Sequence, residues 1–308
     1  MNQNHSPRRL LPIVGVLAIA TVLGVSACSA EPTRPAPEKP ATSSAPAPEA
    51  EGVDAIGELE IIHRDSYDVA SYLTEGSGGT IVLDAGGGND ASYWNDLVPE
   101  LAEQTGAAIV TYDRTGAGKS DDVPGAFDPA AAGEDLAAVI EELDLPDGPV
   151  LLVGHSLAGE VAHALVGGHA DLIDGAVLVD ANLPPFFTPE TVERLVEANT
   201  AYIAELEAGP STRESRQLIA VAENWGPVHT AFHTATWPAT IPVAVIVSDL
   251  TPFPAGTDEV TNWKNAAAQF VSEANNRSLV SAPGTSHDVA LDDQDLVEQQ
   301  IVRLFDSL

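Results

Sequence analysis

Short apolar runs alternate with longer helical patterns along most of the chain. Apolar runs predict strands over 59–62, 68–73, 80–83, 108–112, 150–153, 175–179, 242–247 and 278–281. Apolar residues spaced three and four apart predict helices over 95–104, 130–143, 157–167, 260–274 and 295–304. This alternation is typical of an α/β fold with a largely parallel sheet, here within residues 56–308. The closeness of the first two strands predicts a hairpin and therefore one antiparallel edge.

One segment, residues 183–237, interrupts that rhythm. It is too long for a simple connection and carries helical patterns of its own, so it predicts a helical cap inserted into the sheet domain. Its aromatic side chains are candidates for an apolar substrate pocket, although packing of the cap would use the same residues equally well. These candidates are Phe186, Phe187, Tyr202, Trp225, Phe232 and Trp237.

The N-terminus has the pattern of an export signal. Arg8 and Arg9 precede an apolar run over 10–25, which ends at small residues and then Cys28. Residues 1–28 therefore predict a signal peptide, and the cysteine resembles the lipid-modified residue of bacterial lipoproteins. The alternative is an ordinary signal peptide with an incidental cysteine. Because Cys28 is the sole cysteine, disulfides within the chain are impossible, and the lipoprotein interpretation predicts anchoring on the extracytoplasmic face of the cell membrane.

Residues 29–55 are rich in proline, alanine, serine and acidic residues, which predicts a disordered tether. From residue 56 onward the chain has 9 Lys and Arg against 41 Asp and Glu. Such an acidic surface excludes nucleic acid as a partner and disfavours polyanionic substrates. Adaptation to salt and the simple acidity of an exported protein both remain open as explanations of the charge.

The stretch Gly154-His-Ser-Leu-Ala-Gly159 carries the strongest chemical signal. An apolar run stops at a glycine, a serine follows at once, and small residues open a helix. This is the layout of a nucleophile elbow, a strained turn between strand and helix that exposes the hydroxyl of Ser156 above the sheet. The strict pattern has glycine at position 158, and Ala158 departs from it by one methyl group.

In its order of motifs the chain resembles the α/β-hydrolase superfamily. The motifs are Asp84-Ala-Gly-Gly-Gly88 with Trp94, Tyr112-Asp-Arg-Thr-Gly-Ala-Gly-Lys-Ser120, the Ser156 elbow, Gly175-Ala-Val-Leu-Val-Asp180, and Gly284-Thr-Ser-His287. The resemblance implies a mostly parallel eight-stranded sheet with helices on both faces and a site at the carboxyl ends of the strands. Because haloalkane dehalogenases and epoxide hydrolases have aspartate at the elbow, serine points to acyl transfer.

The resemblance also suggests the partners of Ser156. His287 follows the last predicted strand, where the superfamily has its catalytic histidine. Two aspartates compete for the supporting acid: Asp180, after the strand 175–179, is preferred to Asp249, after the strand 242–247. By the same resemblance, the backbone N–H groups of Gly87 and Leu157 form the oxyanion hole.

These residues predict a serine hydrolase that cleaves a small, uncharged or apolar carboxylic ester without cofactor or metal. His229 and His233 are four apart on a helical pattern, but no further zinc ligands occur at regular spacing. The glycine-rich segments lack the full spacing of a nucleotide-binding P-loop. A C–C bond hydrolase, an aminopeptidase of the same fold, and a catalytically idle binding lipoprotein remain as alternatives.

Overall fold

The structure is a computed structural model that describes residues 54–308, so the predicted signal peptide, Cys28 and nearly all of the tether lie outside the described residues. Its strands are β1 Glu58–His63, β2 Asp68–Thr74, β3 Thr80–Asp84, β4 Ala108–Tyr112, β5 Val150–His155, β6 Gly175–Val179, β7 Val243–Ser248 and β8 Arg277–Ala282. Its helices are α1 Leu97–Thr105, α2 Pro129–Glu142, α3 Ala158–Gly168, α4 Pro189–Ala208, α5 Arg213–Glu223, α6 Trp225–Phe232, α7 Asp258–Ser272, α8 Val289–Asp292 and α9 Gln294–Phe305. None of the helices within residues 54–308 has both the length and the apolar character needed to cross a bilayer.

The strands form a single sheet in the order β1-β2-β4-β3-β5-β6-β7-β8. Strands β1 and β2 pair antiparallel as a hairpin, with Glu58 opposite Leu73, and β2 pairs antiparallel with β4. Every pair from β4 to β8 is parallel. The predicted α/β class, the eight strands and the antiparallel edge are therefore confirmed.

Helices cover both faces of the sheet, which explains why the central strands are continuous apolar runs. In β3, Ile81 and Leu83 belong to the apolar core that includes residues of α1 and α9, whereas Val82 belongs to the core that includes residues of α2, α3 and α7. Alternate side chains of one strand thus enter opposite layers. The carboxyl ends of the parallel strands meet at one edge, where the loops carry the candidate site.

The segment predicted as a cap forms a short 3-10 helix, Pro184–Phe186, followed by α4, α5 and α6 before the chain returns to β7. Local capping explains where two of these helices begin. The Thr188 hydroxyl accepts from the backbone N–H of Thr191 at the start of α4, and Thr212 and Ser215 form a reciprocal capping box at the start of α5. These helices supply part of the wall of the chamber described below.

Candidate active site

Ser156 occupies a tight turn between β5 and α3. Its φ of 55° lies in the left-handed region, which side chains rarely adopt, and its backbone N–H donates to the carbonyl oxygen of Val179 at 3.2 Å. A Cβ atom at Gly159 would overlap the backbone oxygen of Asn182, so only glycine fits there. A Cβ at Gly154 would lie 3.2 Å from Cβ of Ala158. The missing side chain at Gly154 therefore makes room for the methyl group at position 158.

His287 lies between β8 and α8, and its two ring nitrogens join Ser156 to Asp180. The hydroxyl of Ser156 lies 2.8 Å from Nε2, and Nδ1 lies 2.7 Å from Oδ2 of Asp180. A carboxylate accepts only, so Nδ1 carries the proton, and the neutral ring then has a lone pair on Nε2 facing the hydroxyl. The structure thus brings together the predicted nucleophile, base and preferred acid in the geometry of a catalytic triad.

Asp180 directly follows β6 and is almost wholly buried. Its oxygens accept from the Ser248 backbone N–H at 2.9 Å, the Ser248 hydroxyl at 2.7 Å and Trp263 Nε1 at 2.8 Å, besides His287. Burial favours a higher pKa, but the hydrogen bond and charge of His287, with the donors from Ser248 and Trp263, outweigh it and lower the pKa of Asp180. The group is therefore held ionised beside the imidazole.

Asp249, the alternative acid, lies away from this chain of hydrogen bonds. Its exposed carboxylate is 3.1 Å from Nζ of Lys264 and 3.4 Å from the backbone N–H of Gly284. The Lys264 hydrogen bond, then the Gly284 one, lowers its pKa. The structure does not bring Asp249 to His287.

The loop after β3 and the turn after β5 place two backbone donors at one chamber. Gly87 and Leu157 both line it, together with Ser156. Neither backbone N–H donates to an acceptor in the described part of the chain. Two unpaired donors beside a nucleophile can stabilise negative charge on a substrate carbonyl oxygen.

Buried polar contacts hold the glycine loop from two sides. The guanidinium of Arg114 pairs with Asp84 and also donates to the carbonyl oxygens of Ala85 and Gly86. On the other side, Gln217 of α5 accepts from the backbone N–H of Gly88 at 2.5 Å. The loop is thereby fixed between the sheet and the inserted helices, a contact that sequence patterns did not predict.

His155, next to the nucleophile, has a supporting position. Its Nε2 donates to the backbone oxygen of His287 at 3.0 Å, and its ring stacks on Tyr93. Burial, reinforced by the nearby His287, lowers the pKa of His155 to about 3. A neutral His155 holds the His287 backbone without adding a positive charge beside it.

The site opens into an apolar chamber of about 50 Å³. Its lining includes Phe186, Phe187 and Trp225, which were predicted for the pocket. It also includes residues that were not predicted, because they are not aromatic or lie outside the segment 183–237. These additional residues are Asn182, Leu195, Val221, His229, Pro252, Phe253 and Trp263.

Phe232 and Trp237 were predicted for the pocket, and this prediction is wrong. Both rings pack edge-on against the buried ring of His163, with centroids 5.1 Å away, inside the apolar core. Trp237 also donates from Nε1 to the carbonyl oxygen of Ile241. Phe232 ends α6 and Trp237 lies in the segment after it, and both pack on α3 instead of lining the chamber. Tyr202 does not line the chamber either.

A second buried polar group borders the same chamber. Glu160, in the first turn of α3, lies 2.8 Å from Nε2 of His229 in α6 and accepts from Nδ2 of Asn182 at 2.5 Å. His229 therefore faces a carboxylate, whereas His233 contacts the carbonyl oxygen of Pro184. The sequence did hold one signal of this group, since Glu160 is a lone acid in an otherwise small and apolar stretch of helix.

Comparison with known proteins identifies the family. Residues 81–300 match the sequence model of the alpha/beta hydrolase family. The chain belongs to this family. Its fold and its order of motifs agree with the resemblance seen in the sequence.

Several individual proteins are similar to this alpha/beta hydrolase. An uncharacterized protein of Mycobacterium bovis is 32% identical over 111 residues, so the match spans 36% of this chain and only 31% of that relative. A non-heme haloperoxidase of Rhodococcus erythropolis is 26% identical over 272 residues, covering 77% of this chain and 95% of that one. A thermophilic esterase from Thermogutta terrifontis, solved with malate bound, superposes with a TM-score of 0.59 at 20% identity, over 82% of this chain and 99% of that chain. At that identity the structural likeness shows the fold alone.

Proposed function

We propose that this alpha/beta hydrolase cleaves small, uncharged or apolar carboxylic esters through an acyl-enzyme on Ser156. The observation that carries the proposal is the hydrogen-bonded series Ser156, His287 and Asp180 at the wall of an apolar chamber. A serine hydroxyl becomes a nucleophile when a positioned base takes its proton, and this geometry supplies that base.

In the first half-reaction, Nε2 of His287 takes the hydroxyl proton while Oγ of Ser156 attacks the ester carbonyl carbon. Negative charge then develops on the carbonyl oxygen, which the backbone N–H groups of Gly87 and Leu157 stabilise. The ionised Asp180 stabilises the imidazolium that forms. Collapse of the intermediate breaks the bond to the alcohol oxygen, which leaves with the proton from Nε2.

In the second half-reaction, water replaces the alcohol beside His287. Nε2 takes a proton from the water as its oxygen attacks the acyl carbon, and the same two N–H groups stabilise the second tetrahedral oxyanion. The bond to Oγ then breaks, Ser156 regains its proton from His287, and the carboxylic acid leaves. The enzyme returns to its starting state with one ester and one water consumed.

The chamber supports a small and uncharged acyl group. A volume of about 50 Å³ corresponds to roughly four water-sized groups. Phenylalanine, tryptophan, leucine, valine and proline side chains make up most of its lining, and no carboxylate lies among the described lining residues. An aminopeptidase would need an acidic group to bind the substrate amine, so the lining favours an ester over a peptide.

Hydrolysis of a p-nitrophenyl ester series from acetate to decanoate tests the proposal. We expect the highest kcat/KM at acetate to butyrate. The value should fall by at least about tenfold by decanoate, because acyl chains longer than butyrate do not fit in the chamber. Ser156→Ala is the matched variant, and its activity should be lost while its circular dichroism stays unchanged.

Retained hydrolysis in folded Ser156→Ala would contradict the acyl-enzyme. Absence of turnover across the whole series in folded wild-type protein would instead favour the C–C hydrolase, the peptidase or the idle binding protein. A chain-length optimum at decanoate would contradict only the proposed small size of the acyl group, and ester hydrolysis through Ser156 would stand.

The proposal includes export and lipid anchoring through Cys28. It rests on the charged start, the apolar run and the single cysteine at its end. Fractionation of cells that express wild-type protein or Cys28→Ala tests it, since the anchored form should sediment with membranes and the variant should not.

A further inference from the structure

Three polar side chains beside the chamber have no part in the proposed chemistry. Glu160 and His229 are almost completely buried and lie 2.8 Å apart, one on the helix after the nucleophile and one on an inserted helix. Asn182, in the loop after β6, donates from Nδ2 to the same oxygen, Oε1, of Glu160. Burial of such polar groups is costly, so their arrangement calls for an explanation.

The two ring nitrogens of His229 lie against a backbone carbonyl and a carboxylate. Nδ1 lies 2.7 Å from the carbonyl oxygen of Trp225, and a carbonyl only accepts, so Nδ1 carries a proton and donates it. Nε2 lies 2.8 Å from Oε1 of Glu160 but makes no hydrogen bond within the described residues. The ring itself lies between Trp225 and Phe187, at centroid distances of 3.9 and 4.1 Å. His229 is therefore fixed on every side.

Glu160 in turn fixes the orientation of the Asn182 amide. A carboxyl oxygen such as Oε1 of Glu160 has a lone pair that accepts from an N–H. Nδ2 of Asn182 supplies this N–H, so the bond to Glu160 assigns the NH₂ group to the Glu160 side of the amide. The amide oxygen Oδ1 remains, and it makes no hydrogen bond within the described residues.

Three other polar side chains of the chamber are already hydrogen-bonded. Ser156 and His287 bind each other, and Nε1 of Trp263 donates to Asp180. Among the lining side chains of residues 54–308, the Asn182 amide thus supplies the one acceptor oxygen without a partner, in surroundings that are otherwise apolar. An unpaired acceptor in such a place is a ready contact for a donor on the substrate.

We propose that Oδ1 of Asn182 accepts a hydrogen bond from a hydroxyl on the acyl group, so that the substrates are esters of small hydroxy acids. This inference rests on the proposed ester hydrolysis. The backbone N–H of Asn182 donates to the carbonyl oxygen of Ser156 at 2.8 Å, which places Asn182 beside the residue that holds the acyl group through both half-reactions. Glu160 and His229 are positioning residues, because they act through Asn182.

Pairs of esters that exchange a methyl for a hydroxyl at nearly constant size test this assignment. The probes are ethyl lactate against ethyl 2-methylpropanoate, and ethyl 3-hydroxybutyrate against ethyl 3-methylbutanoate, with each hydroxy-ester enantiomer assayed separately. Each kcat/KM is divided by the rate constant for alkaline hydrolysis of the same ester, which removes the difference in intrinsic reactivity. In wild-type enzyme we expect about a tenfold preference for the hydroxy ester in at least one pair.

Variants of the full-length chain then test which residues cause the preference for the hydroxy ester. Asn182→Leu removes the acceptor, and the ratio within the pair should fall to about one. Glu160→Gln places an NH₂ group where it can donate to Nε2 of His229 and turn the Asn182 amide, so the ratio should also fall. Asn265→Leu, an exposed change on α7 away from the chamber, should keep it. A ratio of two substrates does not depend on how much of the enzyme is folded.

Equal turnover within both pairs by wild-type enzyme would overturn this inference and leave ester hydrolysis intact. A preference that survives in both Asn182→Leu and Glu160→Gln would overturn it as well. If Asn182→Leu does not fold, the ratio measured in wild type and the ratio measured in Glu160→Gln decide whether the inference holds. No turnover of any of the four esters, or of the p-nitrophenyl series, would overturn the esterase proposal and this inference with it.

Discussion

Two buried carboxylate–imidazole pairs adjoin one chamber, and they differ in what the second ring nitrogen contacts. In the pair of Asp180 and His287, that nitrogen faces the Ser156 hydroxyl at 2.8 Å. In the pair of Glu160 and His229, it faces a backbone carbonyl oxygen at 2.7 Å. A hydroxyl can give up a proton and a carbonyl cannot. The comparison teaches that a carboxylate beside a histidine marks a catalytic base only when the far nitrogen has an exchangeable partner.

The carboxylates of the two pairs also differ in their other partners. Asp180 accepts four hydrogen bonds, from His287, Trp263 and both donors of Ser248. Glu160 has both of its contacts on one oxygen, and its Oε2 is buried without a partner. The first environment stabilises a charge throughout a reaction, whereas the second gives its carboxylate one hydrogen-bond donor, the amide of Asn182.

The largest expected effect comes from breaking the pair that contacts Ser156. Asp180→Asn should lower kcat about 10⁴-fold, because the amide no longer holds the proton on Nδ1 of His287. Asp249→Asn is the matched control, and since its carboxylate contacts Lys264 at the surface, its kcat should stay within about threefold of wild type. Steady-state kinetics on p-nitrophenyl acetate measure both. A kcat of Asp180→Asn close to that of wild type would contradict the distinction between a catalytic pair, Asp180 with His287, and a supporting pair, Glu160 with His229.

A smaller effect on catalysis is expected from the second pair. His229→Gln should leave kcat on p-nitrophenyl acetate within about tenfold of wild type, while the Tm falls by about 5 °C through loss of the buried contact with Glu160. Kinetics and calorimetry on the same sample separate the two outcomes. A loss of kcat as large as that of Asp180→Asn, with unchanged Tm, would mean that His229 takes part in the chemistry.

The smallest effect concerns a buried histidine that has no carboxylate partner. Burial lowers the pKa of His163 to about 4, against 6.5 in the unfolded chain. Between these two pH values the unfolded state binds a proton that the native state does not bind. Stability therefore falls as the pH drops from about 6.5 to about 4, and this group contributes on the order of 1 kcal/mol per pH unit. His163→Gln should make the pH dependence of the free energy of unfolding shallower by that amount. Urea unfolding at three pH values in this window measures it, and an identical slope in the variant would contradict the assignment.

Much of the fold could be predicted because strand and helix periods are local properties of the chain. The predicted strand over 108–112 agrees with β4, and α4, α5 and α6 lie within the segment 183–237. The elbow was also visible, since small residues around a serine leave a local signature. These predictions needed no knowledge of which elements touch.

Three features could not be predicted because they depend on contacts between residues far apart in the sequence. They are the identity of the triad acid, the residues of the pocket wall, and the pairing of Glu160 with His229. Asp180 and Asp249 both follow strands, and only the paths of their loops decide which one reaches His287. Phe232 has the residue type of a pocket aromatic, but the rotation of α6 places it in the core. Asn182 gave no signal at all, because its partners come from α3 and α6.

Ser156 and Asp180 have one further property in common. They are the two residues other than glycine with positive φ in the described part of the chain, at 55° and 41°, and they directly follow the adjacent strands β5 and β6. Each such conformation costs on the order of 1 kcal/mol that a glycine would not. Glycine would relieve this strain, but at position 180 it would also leave the donors of His287, Ser248 and Trp263 without their acceptor. The chain thus accepts backbone strain at the two positions that carry the proposed nucleophile and its supporting acid.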